Sequence, residues 1–392
     1  MKFNKMLVLL LLTALVLAGC TKPDARPDTK MQKQIEKRCA EIVSMYQDLY
    51  SAAGKMEPES KWEEPDLTQS SIDAIEERLQ KVGLDVVDTD EICPGYLTTG
   101  ENFYSFWTAV QQNQDARQEV ITIRSSGALG YQLFTYQSGT ACVYSMVDFL
   151  DDSMDSDYEV HEILDWDVTE NGNFYYRICP AGDKHFADYT LIRLEKPEKE
   201  LWELNQKYIM AGGYVATNLY LTDWTEENLT GLSFNDLWEY LYRYENGEQF
   251  SPKGYTYSDE LRCYQIPAEE FEQLILPYFN MDTQTLRSLA QYHVDGDFYP
   301  WHQIETNEYA FYLSYYTIDP EVTAYLVNPD GTITIRVQMI STDLKTDCLF
   351  SHEVTVRPLE NGGFQFVGNQ VIDRGAYGLP FCEPRLTWEK AG

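Results

Sequence analysis

Six short runs rich in β-branched and aromatic residues follow one another between Glu119 and Leu194, and no other feature limits the fold of this chain so tightly. They are Glu119–Arg124, Leu129–Gln137, Ala141–Phe149, Tyr158–Trp166, Phe174–Cys179 and Tyr189–Leu194. Turn formers such as Ser125-Ser126-Gly127 and Glu170-Asn171-Gly172-Asn173 separate them. Strand side chains alternate between two faces, so runs of this length and composition read as half-buried strands. A parallel crossover needs a dozen or more residues, and the gaps here are shorter. The pattern predicts an antiparallel meander and argues against βαβ units.

Helical patterns flank the meander. Apolar residues recur in steps of three and four at Ile35, Cys39, Ile42, Val43, Tyr46, Leu49 and Tyr50, predicting an amphipathic helix that ends at Gly54. Ser71–Val82, with Gly83 as its stop, and Glu101–Gln112 fit two more, and Lys55–Thr68, between the first helix and the second, reads as linker. Pro197–Met210 and Ser233–Tyr244 are helical in pattern, and Gly247–Ser258 suits a boundary. Beyond it helices again precede strands. Ala268–Phe279 opens with Glu269 and Glu270, where the helix dipole favours acids, and Thr283–Tyr292 follows. Strands are expected at Tyr309–Tyr316, Val322–Val327, Thr332–Ile340, Ser351–Arg357 and Phe364–Val371. Asn328-Pro329-Asp330-Gly331 and Asn361-Gly362-Gly363 supply hairpin turns. The expected fold is α+β, helices packed on antiparallel sheets, in two domains at residues 69–247 and 248–392. A length of 392 residues, at about 150 per domain, agrees.

The N-terminus carries an address. Met1–Lys5 is a short cationic lead, Met6–Leu17 is almost wholly apolar, and Leu17-Ala18-Gly19-Cys20 precedes an abrupt polar turn at Thr21-Lys22-Pro23-Asp24. The apolar run is shorter than the about 20 residues a spanning helix needs. Leu17-Ala18-Gly19-Cys20 resembles the bacterial lipobox, which implies cleavage before Cys20 and a diacylglyceryl group on its thiol. Residues 1–19 would then be a signal peptide, and 20–68 a lipidated tether, helix and linker. Two acyl chains anchor durably where one is marginal. The expected location is the extracytoplasmic face of the cell membrane. The alternatives are a retained membrane helix or an ordinary secretory signal with an incidental cysteine.

Charge narrows the partners. Thirty Lys+Arg against sixty-three Asp+Glu give −33, and loss of Lys2 and Lys5 on cleavage would make it −35. Such a body repels nucleic acid and anionic headgroups. Seven cysteines remain beyond Cys20, at wide spacings without Cys-x-x-Cys, so redox and zinc-knuckle motifs are missing. A chain this long needs no staples, and buried free thiols are the expected state for most of them.

Several segments then form one signature: Ile266-Pro267-Ala268-Glu269-Glu270-Phe271-Glu272, Tyr278-Phe279, Asn328–Ile333, Ser351–Pro358 and Gly362–Phe366. Together they are similar to a family of uncharacterised lipoproteins from anaerobic Gram-positive bacteria. The match runs from about Tyr255 to Ile372, with a fainter echo over Phe103–Leu194. The resemblance implies a lipoprotein and brings no catalytic residues; Gly368 departs from the expected serine.

Motifs for chemistry are sparse. No Lys or Arg lies between Arg124 and Arg177, while ten acids from Asp148 to Glu170 crowd the second half of that stretch. Ca²⁺ takes six to eight oxygens, but the EF-hand spacing is missing, so the acids read first as a solvated loop, with a divalent cation as the lesser reading. Asp295-Gly296-Asp297 is weaker still. The five histidines form no His-Glu-x-x-His, and strand alternation puts His352 and Glu353 on opposite faces. There is no Gly-x-Ser-x-Gly elbow, phosphate loop or dinucleotide fingerprint, hence no expected catalytic residue, metal ligand or cofactor. Tyr299-Pro300-Trp301-His302 has the character of a loop able to stack on sugar or peptide. The expected role is a non-enzymatic binding or interaction module at the cell surface, facing a cell-wall, glycan or protein partner. The alternative is a hydrolase of cell-wall or dietary polymers with an unrecognised carboxylate site.

Overall fold

The computed structural model describes residues 29–55, 66–88, 95–148, 157–178, 189–214, 216–302, 318–380, 382 and 384–385. Cys20 and its lipobox-like setting, Asp151, Asp152 and Asp155, Cys93, Cys179 and the expected strand at Tyr309–Tyr316 all lie outside the described residues. Contacts divide the chain into two compact units. The first is Met1–Trp166 with Tyr176–Ala187 and Ile192–Glu195; the second is Asp167–Tyr175 with Asp188–Leu191 and Lys196–Gly392. Helices and sheets are mixed throughout, an α+β architecture.

Helix α1 (Thr29–Ala52) buries Ile35, Cys39, Ile42 and Tyr46, the stripe that the three-and-four spacing demands. Helix α2 (Gln69–Lys81) buries Ile72, Ile75 and Leu79 and stops at Gly83, whose φ of 83° suits glycine. These side chains form one core with Ile121, Ile123, Leu129, Tyr131 and Leu133. After the two helices come β1 (Val86–Asp88), β2 (Tyr96–Leu97) and α3 (Glu101–Gln111). The meander follows as β3 (Ala116–Ile123), β4 (Leu129–Gln137), β5 (Thr140–Asp148), β6 (Asp157–Val168), β7 (Asn173–Ile178) and β8 (Tyr189–Arg193).

The meander does not remain an open sheet. Its strands close into a barrel in the order β1-β2-β8-β7-β6-β5-β4-β3. The ladders β3/β4, β4/β5 and β5/β6 are antiparallel as expected, but β1/β3 and β2/β8 are parallel. Purely antiparallel sheets were the expectation. The two strands that close the ring are two and three residues long, too short to leave a periodic trace in the sequence. At the β3–β4 turn, Gly127 has φ 86°, and a Cβ there would come within 2.5 Å of the Tyr50 ring on α1. Tyr46 also donates its hydroxyl to the Gly127 carbonyl, so the helix sits directly on this turn.

The second unit begins with α4 (Lys199–Leu204), which continues as a π-helical turn over Asn205–Ile209. Strand β9 (Trp224–Thr225) and α5 (Phe234–Asn246) follow, the helix ended by Gly247 at φ 71°. Strands β10 (Thr256–Ser258), β11 (Cys263–Pro267) and β12 (Phe298–Trp301) make a three-stranded antiparallel sheet. Helices α6 (Ala268–Ile275) and α7 (Thr283–Leu289) lie between β11 and β12 in sequence. A five-stranded antiparallel sheet has the order β13 (Ile318–Val327), β14 (Ile333–Ser341), β15 (Ser351–Pro358), β16 (Phe364–Asp373), then β9. One core draws on residues on both sides of Gly247, from Tyr208 to Phe366, and it is rich in ring contacts. Phe271 stacks on Tyr299 at 3.9 Å, and Phe250 meets Trp238 and Trp301 edge-on at 4.8 and 4.7 Å.

The expected loop at Tyr299-Pro300-Trp301 is instead strand β12, paired with β11 and buried along its length. Its rings belong to the core and offer no stacking surface; three aromatics in four residues fit a pleated, covered strand better than an exposed turn. Five described cysteines, Cys39, Cys142, Cys263, Cys348 and Cys382, are free thiols. Burial pushes Cys39 and Cys382 up to about 12 and Cys263 up to about 11. Among the described residues, no helix is long and apolar enough to cross a membrane.

Candidate functional site

An open groove of about 1070 Å³ lies in the first unit. Its walls are the first half of α1, the turn from α2 into β1, one side of α3, and the strands β3 and β4. At its floor lies Asp85, 2% exposed, in the Leu84-Asp85-Val86-Val87 segment where an apolar run is broken by one acid. The Asp85 carbonyl accepts from the Ile121 amide, which ties the residue to the β1/β3 junction.

Three elements converge on the Asp85 carboxyl. Oδ1 accepts from Thr99 Oγ1 at 3.1 Å and from Asn102 Nδ2 at 3.0 Å, while Oδ2 accepts from Gln118 Nε2 at 2.6 Å. Gln118 also donates to the Glu119 carbonyl at 2.7 Å. Burial pushes the Asp85 carboxyl above its ordinary range, and the three hydrogen bonds only partly offset that. Among the described residues no cation lies at hydrogen-bonding distance; neutral amides and a hydroxyl hold it.

Beside it stands an ion pair. Arg38 Nε lies 3.2 Å from both oxygens of Glu119, and Nη2 lies 2.9 Å from Oε2. Tyr131 donates its hydroxyl to Glu119 Oε1 at 2.9 Å, and burial with the Glu119 charge raises the phenol's pKa. Arg38 and Lys37 each also lie 3.6 Å from Glu41. The groove thus has a floor of satisfied polar groups and walls of exposed neutral amides, notably Gln34 and Gln137.

The second unit keeps its polar chemistry inside. His352, fully buried on β15, takes Tyr214 Oη at 2.6 Å on Nε2 and Asn369 Oδ1 at 2.7 Å on Nδ1. Asn369 Nδ2 donates to the carbonyls of Tyr220 and Thr222, so its oxygen must accept, Nδ1 carries the ring proton, and Tyr214 donates to Nε2. Burial holds the imidazole neutral, its pKa lowered to about 4. This is a structural histidine, facing away from Glu353 as alternation required. Arg385, with 2% of its side chain exposed, bonds Asp236 at 2.7 Å, Glu239 at 2.7 Å and the His302 carbonyl at 2.9 Å, which fastens the C-terminal segment to α5.

The acidic stretch is partly strand: Asp157, Glu159, Glu162, Asp165 and Asp167 ride on β6, and His161 pairs with Glu159 at 3.0 Å. Among the described residues, no group of three or more His, Cys, Asp or Glu is placed to hold a metal ion. Asp85, Gln118, Arg38 and Glu119 carried no motif; the lone acid inside Leu84–Val87 was the one legible trace.

A mixed α+β protein with a closed barrel, a polar groove beside it and a second unit of antiparallel sheets is what the fold and the site define. The chain belongs to a family of unknown function, DUF6070, whose profile matches residues 32–385. No curated protein and no solved structure matches it.

Proposed function

We propose that this chain is a lipid-anchored lipoprotein on the extracytoplasmic face of the cell membrane, and that its first unit is a non-enzymatic binding module. The observation that carries the binding half is the state of the groove's carboxylates. Asp85 accepts three hydrogen bonds, and Glu119 is held by Arg38 and Tyr131. Groups so committed order a surface, whereas a general acid or base must reach the proton it transfers. The anchoring half rests on the lipobox-like Leu17-Ala18-Gly19-Cys20. Only eight residues separate Cys20 from the first residue of α1, Thr29, so the reach over those nine steps is at most about 30 Å. The groove, lined by Met31 and Gln34, would work close to the bilayer.

Intact mass and peptide mapping of the native protein test the anchor: a mature chain starting at a diacylglycerol-modified Cys20 is expected. An unprocessed Met1 start with an unmodified Cys20 would overturn it. A second reading, a polymer hydrolase, draws on one observation, the raised Asp85 carboxyl in an open groove. It requires that the protein shorten a wall or dietary glycan and that Asp85→Asn abolish this.

A further inference from the structure

The groove's local charge departs from that of the molecule. Its ionisable lining residues are three cations, Lys37, Arg38 and Arg117, and three acids, Glu41, Asp85 and Glu119, so it is formally neutral in a chain of net charge −33. The remaining polar lining is uncharged and dense: Gln34, Asn102, Ser105, Gln118, Thr135 and Gln137. Apolar patches at Val82, Leu84 and Ala109 lie among them. An anion approaching this groove meets the repulsion of the whole body, and a cation finds stronger acidic sites elsewhere.

Backbone recognition is limited to one short edge, because β3 meets β1 only at Ile121 and Thr122, leaving Ala116–Val120 without a β1 partner among the described residues. An extended peptide is commonly held by the free edge of a strand. Here β4 is paired along its length with β3 on one side and β5 on the other. On β3, the Glu119 carbonyl is already taken by Gln118. Most of the lining polar groups are side-chain amides and hydroxyls, which both donate and accept. The chemistry that complements them is a ligand bearing many hydroxyls on a partly apolar frame. A volume of about 1070 Å³ lies at the upper end of small-ligand sites, which points to several linked units rather than one.

Resting on the binding reading above, we infer that the groove between α1, α3 and the β3–β4 face binds a neutral oligosaccharide. The test is titration calorimetry of the detergent-solubilised full chain. The probes are chitotetraose and cellotetraose, with tetragalacturonate and capped tetra-alanine as contrasts. A neutral tetrasaccharide binds, with little salt dependence, and the two contrasts do not. Gln34→Ala combined with Gln137→Ala weakens that binding by about tenfold or more, while the melting temperature stays that of the parent, because both side chains are exposed. The inference is overturned if neither neutral glycan binds, if the peptide or the uronate binds in preference, or if the double variant binds sugar as well as the parent. Those outcomes leave the state of Cys20 untouched. Conversely, an unmodified Cys20 alongside intact sugar binding would remove the anchor and keep the ligand.

Discussion

The barrel region and the five-stranded sheet handle their strand edges and their polar residues in opposite ways. The barrel closes its ring with two very short strands, each paired in parallel with a longer one, and gathers polar side chains around an open groove. The sheet of β13 to β16 and β9 stays open, and its edge strand β13 ends in three consecutive exposed apolar residues, Tyr325, Leu326 (63% exposed) and Val327 (59%). It holds His352 and Asn369 inward in the chain they form with Tyr214, and elsewhere in the same unit the Arg385 clamp on α5 is buried too. One region uses polar groups to shape a surface; the other uses them to fix a core. Mutations should separate the two by what they disturb: affinity in the first, stability in the second.

The largest effect is expected at Arg385. Arg385→Ala leaves Asp236 buried beside Glu239 without its cation, which should cost about 3–5 kcal/mol. Chemical denaturation should show the transition reporting the second unit moving early. A change under about 1 kcal/mol would mean that its inward polar groups do not fix the core.

Acid is the next probe. His352 titrates at about 4 in the fold against an ordinary 6.5. Between those values the unfolded chain binds a proton that the folded one refuses, so stability falls as pH drops from 6.5 towards 4 and levels off below. The full span corresponds to at most about 3 kcal/mol. Urea midpoints measured across this window should lose that component of the slope in His352→Asn, at some cost in stability at neutral pH. An identical slope in both proteins would assign the acid sensitivity elsewhere.

Asp85→Asn sharpens the comparison from the other side. An amide cannot accept from Thr99, Asn102 and Gln118 together, so a loss of about 1–3 kcal/mol is expected, confined to the first unit. The smallest effect belongs to Leu326→Lys with Val327→Lys. Stability should change by about 0.5 kcal/mol or less, while light scattering on mild heating should show less self-association. Unchanged scattering would clear the open edge of that tendency.

Local elements were largely readable in the sequence, and distant pairings were not. The run Leu129–Gln137 is β4 to the residue, and the apolar spacing from Ile35 to Tyr46 gave the buried stripe of α1. Barrel closure depends on Val86 meeting Ile121 and on Tyr96 meeting Arg193, contacts that no local periodicity encodes. The groove was hidden for the same reason. Its floor unites residues 85, 99, 102 and 118, which are polar side chains of ordinary kinds until the fold brings them within about 3 Å of one another. Trp301 misled because proline beside aromatics suggests a turn, yet Pro300 is accommodated opposite Gln265 in a short sheet.

The five unpaired sulfurs carry a practical consequence. Every one is held protonated by burial, and the thiolate is the reactive form. Once folded, these five need no oxidant to stay in their native state, and a thiol-alkylating reagent should label them mainly as the fold opens.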